Sequence, residues 1–210
     1  MFRELVPETM EDKLVPELII IALILGLILK GKIYRIADIK IKYIWVIFIP
    51  LILFAICRWT PLADYQWFLS GTAIIEKIIL IAAALANRRL PGVKIFMIGL
   101  MINLIALSVN GGMMPASKSA IQATFGEKYL EQALVAPHPR NTFIDSNTNL
   151  VYLCDIIPMH KPYAIVPAVD SVGDLVMTLG MFIFILAVMR TPLPSENKAA
   201  KEALSAVKLE

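Results

Sequence analysis

Cysteine and histidine are nearly missing from this chain, with two of each in 210 residues. Cys57 and Cys154 are too few for a disulfide framework and lack the paired spacing of a metal knuckle, so they read as buried free thiols. His138, in "HPR", and His160, in "MHKP", bring no further ligands at zinc-binding spacing, and both are expected at the surface. No metal and no other cofactor is expected. Pairing Cys154 with either histidine as nucleophile and base would need a geometry that sequence separation does not supply. Charge is scarce too: 18% of residues are charged and the formal net charge is +3. That balance, with the basic residues clustered beside apolar runs, leaves no nucleic-acid footprint. The amino terminus carries Glu4, Glu8, Glu11, Asp12 and Glu17 against only Arg3 and Lys13, without the basic start and small-residue cleavage site of a secretory signal. The first apolar run is therefore expected to stay as an anchor.

What fills the chain instead is hydrophobic: 58% of residues, with a mean hydropathy of +0.72, far above the mixture of a soluble domain. Several apolar runs approach or exceed the roughly 20 residues a helix needs to cross about 30 Å of hydrocarbon. The runs cover about 15–29, 43–57, 67–86, 93–109 and 165–189. Pro50 inside the second is expected to kink it. Tyr43, Trp45 and Trp59 mark its two ends, as interfacial aromatics do. Lys30, Lys32, Arg35, Lys40 and Lys42 follow the first run, "NRRLPG" follows the third and Arg190 ends the fifth, so every strong basic cluster falls on the cytoplasmic side. The expectation is an all-α integral membrane bundle of about five transmembrane helices, a single domain over 1–190 followed by a cytoplasmic tail over 191–210. The amino terminus is outside and the carboxyl terminus inside a bacterial cytoplasmic membrane. Five crossings do not divide into equal halves, which disfavours a transporter built from two complete repeats.

Residues 111–165 form an extracytoplasmic cap. Within it, "SKSAIQATFGEKYLEQALV" has near-helical apolar spacing broken at Gly126, which points to two short helices, while "APHPRNTFIDSNTN" is loop-like. The stretch "NGGMMPASKS" that enters the cap has a glycine, four residues, then Ser117, Lys118 and Ser119, close to the spacing of a phosphate-cradling loop. Such a loop needs a strand before it and a helix after it, and here the strand is missing and no firm helical pattern follows. Asn110, Gly111 and Gly112 instead suit a helix stop, with positive φ available and Pro115 blocking continuation.

Polar residues in or beside the apolar runs are the candidates for function. Asp170 and Asp174, four apart at the outer start of the fifth run, share a helix face, and Asp155, in "LCDIIPMH", is expected near the same side. Three carboxylates meeting in a low-dielectric outer pocket would suit acid/base chemistry or a hard cation; capping by Asp170 or Ser171 is the plainer reading. Arg58, at the outer end of the second run, is placed to neutralise one of them. Glu76 and Asn103 each lie about ten residues into their runs, near mid-membrane, where a hydrogen bond between them would serve either function or helix packing. Lys77 points about 100° away from Glu76, which makes side-by-side pairing awkward.

Three motifs in order, "VNGGMMP", "LCDIIP" and "SVGD", resemble those of a family of small bacterial polytopic membrane proteins of unknown function. The resemblance runs from about Asn87 to Gly180. It implies a fold and a location but no activity, and it maps the family's motifs onto Asn103, Asn110, Gly111, Gly112, Pro115, Asp155, Pro158, Ser171, Gly173 and Asp174. "MMP" has one methionine more than the shorter Gly-Gly-Met-Pro form. A second likeness, of "DLVMTLG" from Asp174 to Gly180, is to lipoprotein signal peptidases, where two aspartates at the outer membrane face activate a water. Val172 and Gly173 stand where that family has asparagine and alanine, and Asp155 lacks the Asn-x-x-Asp-Arg context.

The leading expectation is a binding or partner-docking module with a polar pocket at the outer membrane face. Asp170 and Asp174 would anchor a ligand, Asn110 with the Gly111 and Gly112 backbone would form the opposite wall, and Glu76 with Asn103 would form the floor. Its partners would be the lipid bilayer, a lipid-like or small-molecule ligand, or another membrane protein. The alternatives are an aspartate-dependent enzyme using Asp155 and Asp174 as an acid/base pair on an outer-leaflet substrate, and a structural subunit whose polar residues serve only helix packing.

Overall fold

A computed structural model describes residues 16–59, 62, 65–135, 141–161, 164 and 166–192. The acidic amino terminus before Pro16, the tail beyond residue 192, His138, and the side chains of Cys57 and Arg58 lie outside the described residues.

Helices carry the fold. α1 (Pro16–Ile28), α3 (Phe48–Trp59), α4 (Gln66–Ala86), α5 (Val93–Val109) and α8 (Val172–Arg190) answer to the five apolar runs, and α2 (Tyr34–Asp38) is a short helix in the first loop. By length and composition α4 and α8 are able to cross a membrane, while α1 and α5 are apolar but shorter. Only 28% of the most apolar stretch of α4 and 39% of that of α8 is buried within the protein, so most of this surface faces outward.

Two helices start later than the hydropathy suggests. α3 begins at Phe48 after a 3-10 turn over Ile44–Ile47, which places Pro50 in its first turn. An amide there has no intrahelical partner, so this is a position where a helix tolerates proline. α8 begins at Val172 rather than 165, because Ala168–Asp170 forms a strand, β4, and Ser171 caps the helix.

Contacts at the helix ends give the bundle its directions. Glu17 in the first turn of α1 accepts from the Val166 amide at 3.0 Å, just before α8. At the other ends of the same two helices, Lys32 N and Arg35 Nη1 donate to the Met189 carbonyl at 2.8 and 2.9 Å. α1 and α8 therefore run parallel, and the buried Arg35 sits where a helix carboxyl end favours a cation. α5 runs against both. Asn87, at the end of α4, holds the Lys42 backbone from both sides: its Nδ2 donates to Lys42 O and its Oδ1 accepts from Lys42 N, each at 2.8 Å. The chain segments bearing Lys30 to Lys42, Arg88, Arg89, Lys94 and Arg190 thus gather at one end of the bundle.

The tightest helix contact is between α5 and α8, and glycines make it. Gly92 and Gly99 face Gly180 and Gly173 in antiparallel register, each pair seven residues apart along its own chain. A Cβ on Gly99 would lie 2.5 Å from Gly173 O, and one on Gly180 would collide with Phe96 N. Small residues at two-turn spacing let the backbones approach this closely.

The opposite end carries the cap. α5 stops at Asn110, and the amide of Gly112 closes back onto Leu107 O at 2.7 Å, with φ of +70° at Gly111 and +79° at Gly112. This is the expected glycine stop. Gly112 also lies against Ser70 of α4, whose Cβ would be 2.6 Å from an added methyl. The two expected short helices are present as α6 (Lys118–Phe125) and α7 (Glu127–Val135), broken at Gly126. Strands were not expected. β1 (Met114–Ala116) pairs in parallel with β2 (Asn141–Phe143), and β3 (Ile157–Met159) pairs antiparallel with β4. Asp155 joins the two sheets through a parallel bridge to Ala116. Ala116, Ala120, Ile121, Tyr129, Ala133 and Val169 form the cap's own core. The molecule is therefore mostly helical rather than all-α, with an α/β cap.

Candidate functional site

Where β4 turns into α8, three polar side chains close on one another inside the bundle. Ser171 accepts from the Asp174 amide at 3.1 Å, and Asp174 Oδ2 accepts from the Ser171 amide at 2.9 Å, a reciprocal cap that uses donors the first helical turn would otherwise leave orphaned. Asn103 reaches this cap from α5: its Nδ2 donates to Asp174 Oδ1 at 2.8 Å. The Ser171 hydroxyl stands 2.6 Å from Asp174 Oδ2 and 2.9 Å from Asn103 Oδ1, with one proton to donate between them. All three residues are at most 4% exposed. Gly173 makes the approach possible, since any Cβ there would run into the Asn103 amide oxygen.

Asn110 forms a second junction. Its Nδ2 donates to Ala106 O at 2.8 Å and Asn149 O at 3.0 Å, and its Oδ1 accepts from the Asn149 amide at 2.9 Å. Asn149 Nδ2 returns a bond to Val109 O at 3.2 Å, so the cap loop is tied to the end of α5 on both sides. Cys154 lies buried beside this tie, with Sγ 3.6 Å from Leu150 O. Burial first, and then the charge of Asp155, push its thiol up to about 11. A thiol held that far above neutral pH is a poor nucleophile, which weighs against pairing it with a histidine.

The three aspartates come to one region, at the inner edge of the cap. Asp155 bonds β1 through its backbone, donating from N to Pro115 O at 3.0 Å and accepting at O from Ser117 N at 2.8 Å. Ile156 N donates to Asp170 O at 3.2 Å, which sets Asp155, just before β3, close to Asp170 of β4, and Asp174 follows in the first turn of α8. Each is at most 1% exposed. Among the described residues no three His, Cys, Asp or Glu side chains gather as a metal ion would require.

Glu76 does not join them. Asn103 Nδ2 donates to Asp174 Oδ1 and its Oδ1 accepts from the Ser171 hydroxyl instead, while Glu76 Oε1 lies 3.4 Å from Lys77 Nζ, a pairing that the helix angle makes awkward. The long lysine stem folds across the intervening angle. Gly111 and Gly112 shape the turn into the cap, and the Arg58 side chain lies outside the described residues. The phosphate-loop spacing has no strand before Gly112, although α6 does follow Ser117, whose Oγ caps it by accepting from Ala120 N at 3.3 Å. Lys118 lies over the Phe143 ring, 5.7 Å from its centroid.

The glycine seam is a feature that hydropathy alone does not reveal. Its signal was available as Gly92 and Gly99 in one run and Gly173 and Gly180 in another, at the same spacing of seven. Asn87, which opens "NRRLPG", is the clamp that positions Lys42.

No solved structure matches this chain. An uncharacterized protein of Thermotoga maritima is 30% identical over 168 residues, covering 80% of this chain and 88% of that protein. The family of unknown function DUF5317 matches residues 38–186, which span both asparagine junctions, the glycine seam and the Ser171–Asp174 cap. The chain belongs to that family.

Proposed function

We propose that this is a multi-pass membrane protein of about five crossings in the bacterial cytoplasmic membrane, serving as a binding or partner-docking module through its outer cap. The observation that carries the membrane reading is α4. Its 21 residues extend ~31 Å at 1.5 Å per residue, the thickness of a hydrocarbon core. Exposed Tyr65 and Trp67 stand at its cap end, and Ile75, Ile78 and Leu85 face outward below them. Tyr43 and Trp45 are likewise exposed at the basic end, as the second of two interfacial belts. The gathering of basic residues at that end supports a cytoplasmic location for it, with the amino terminus outside.

The docking role is supported by how the cap is built. It has its own core and is fastened to α5 through Asn110, to α4 through Gly112 and to α8 through β4, so it presents a fixed surface. The buried Asn103, Ser171 and Asp174 then act as the floor beneath the cap, and an outer-face ligand would meet Asp155 and Asp170 above them. Both Asp174 oxygens already accept from protein donors, so the geometry favours a holding role for it over proton transfer to a substrate. Native mass spectrometry of the protein released gently from bilayers tests the reading. A retained small molecule, lipid or defined subunit lost on Asp170→Asn supports it; a bare chain under every release condition overturns it.

A further inference from the structure

Lys42, Arg88, Arg89 and Lys94 cluster where the α4–α5 turn meets the segment before α3. Lys42, Arg88, Arg89 and Lys94 are exposed and, among the described residues, make no side-chain hydrogen bond or ion pair. They surround two open clefts of about 610 and 550 Å³ that share Arg88 and Arg89 along their border. The first also takes Lys42 and Leu85, and the second takes Lys94 and Ile95. This arrangement is built rather than incidental: the buried Asn87 clamps the Lys42 backbone through two bonds of 2.8 Å, bringing a residue 46 positions away in sequence beside Arg88.

The surface running from these clefts toward the cap is apolar. On α4 the outward positions are Ile75, Ile78, Ala82 and Leu85, and on α5 they are Ile98, Met101 and Ile105 below Lys94, each set at helical three- and four-residue spacing. A cluster of exposed cations at one end of two apolar stripes matches an amphiphile with an anionic head and hydrocarbon tails. We propose that the α4–α5 turn is a binding site for an anionic phospholipid, its phosphate held by Arg88 and Arg89 with Lys42 and Lys94 on either flank, and its acyl chains lying along the two stripes. Basic pockets between helices on the cytoplasmic side have this chemistry. Arginine suits the phosphate because its planar fork donates two parallel hydrogen bonds. The site rests on the membrane reading above.

The test uses the full chain in nanodiscs of equimolar phosphatidylglycerol and phosphatidylcholine, with native mass spectrometry counting the lipid retained on release. Wild type is expected to keep phosphatidylglycerol at least tenfold over phosphatidylcholine. Arg88→Gln and Lys94→Gln should each weaken that retention by about fivefold, the effect of roughly one charge near an anionic surface. Lys128→Gln, on the cap, should leave it unchanged. Equal retention of both lipids by inserted wild type, or an equal loss in Lys128→Gln, overturns the site and leaves the membrane reading standing. Displacement of the lipid by millimolar inorganic phosphate would reassign the cations to a soluble phosphate and overturn the lipid assignment. Wild type that inserts into neither bilayer composition overturns the membrane reading itself.

Discussion

Asn103 donates its side-chain amide to the Asp174 carboxylate across the α5–α8 interface at 2.8 Å, and both residues are sealed from solvent. Removing the donor leaves a buried acceptor unsatisfied, which costs more than the bond itself contributed. Asn103→Ala is expected to lower stability by about 1–3 kcal/mol, read as a fall in the thermal midpoint in detergent or nanodiscs. The Asn103→Ala and Asp174→Ala pair should be less damaging than the sum of the singles, since the residues share one network. Additive losses would show that the contact contributes nothing by itself.

The glycine seam makes a sharper contrast. Gly173→Ala drives a methyl into the Asn103 amide, and Gly180→Ala drives one into the backbone of α5, so both are expected to prevent assembly of the bundle. Gly71, on α4, has nothing within 4 Å of an added Cβ. Gly71→Ala should therefore be neutral or stabilising by roughly 0.5–1 kcal/mol, the helix preference of alanine over glycine. Expression and size-exclusion profiles of the three variants separate the outcomes.

These cases also show which features could be read from sequence. The bounds of α4 and α5 follow closely from apolar runs interrupted by "NRRLPG", and the stop at Asn110 follows from two glycines that take positive φ without strain. Three-residue strands leave no periodicity to detect, so β1 to β4 were invisible and the start of α8 was placed seven residues early, inside β4 and its approach. That Asp155, Asp170 and Asp174 lie close to one end was legible from the alternation of spans. Which polar group meets which was not, because Asn103 is 71 residues from Asp174 and equally able, by depth alone, to face Glu76.

The Cys154 thiol sets a pH limit on the cap. Its folded pKa of about 11 lies above the ordinary 9.0, so folding favours the neutral thiol. That contribution is complete below about pH 9 and is lost as pH rises toward 11. Cys154→Ala should flatten the fall in stability over this window. Tyr129, also raised by burial, leaves a residual slope that Tyr129→Phe should remove. Denaturation midpoints measured between pH 8 and about 11 check both, and unchanged slopes would show that neither group is protected in solution.

Asn110 separates the stability of the cap from that of the bundle. Its carboxamide grips the Asn149 backbone as a neighbouring strand would and touches Cys154 Sγ at 3.9 Å, while its Nδ2 also donates to Ala106 O within α5. Asn110→Ala removes the grip and leaves the glycine stop in place, because the Gly112 to Leu107 bond does not involve the side chain. Hydrogen exchange should then quicken over residues 149–154, where Cys154 and Leu153 depend on that tie, with α5 and α8 still protected. A cost of about 1–2 kcal/mol confined to the cap is expected. Faster exchange through α5 as well would mean that cap and bundle unfold as one unit, and that the cap is part of the helical core rather than a platform fastened to it.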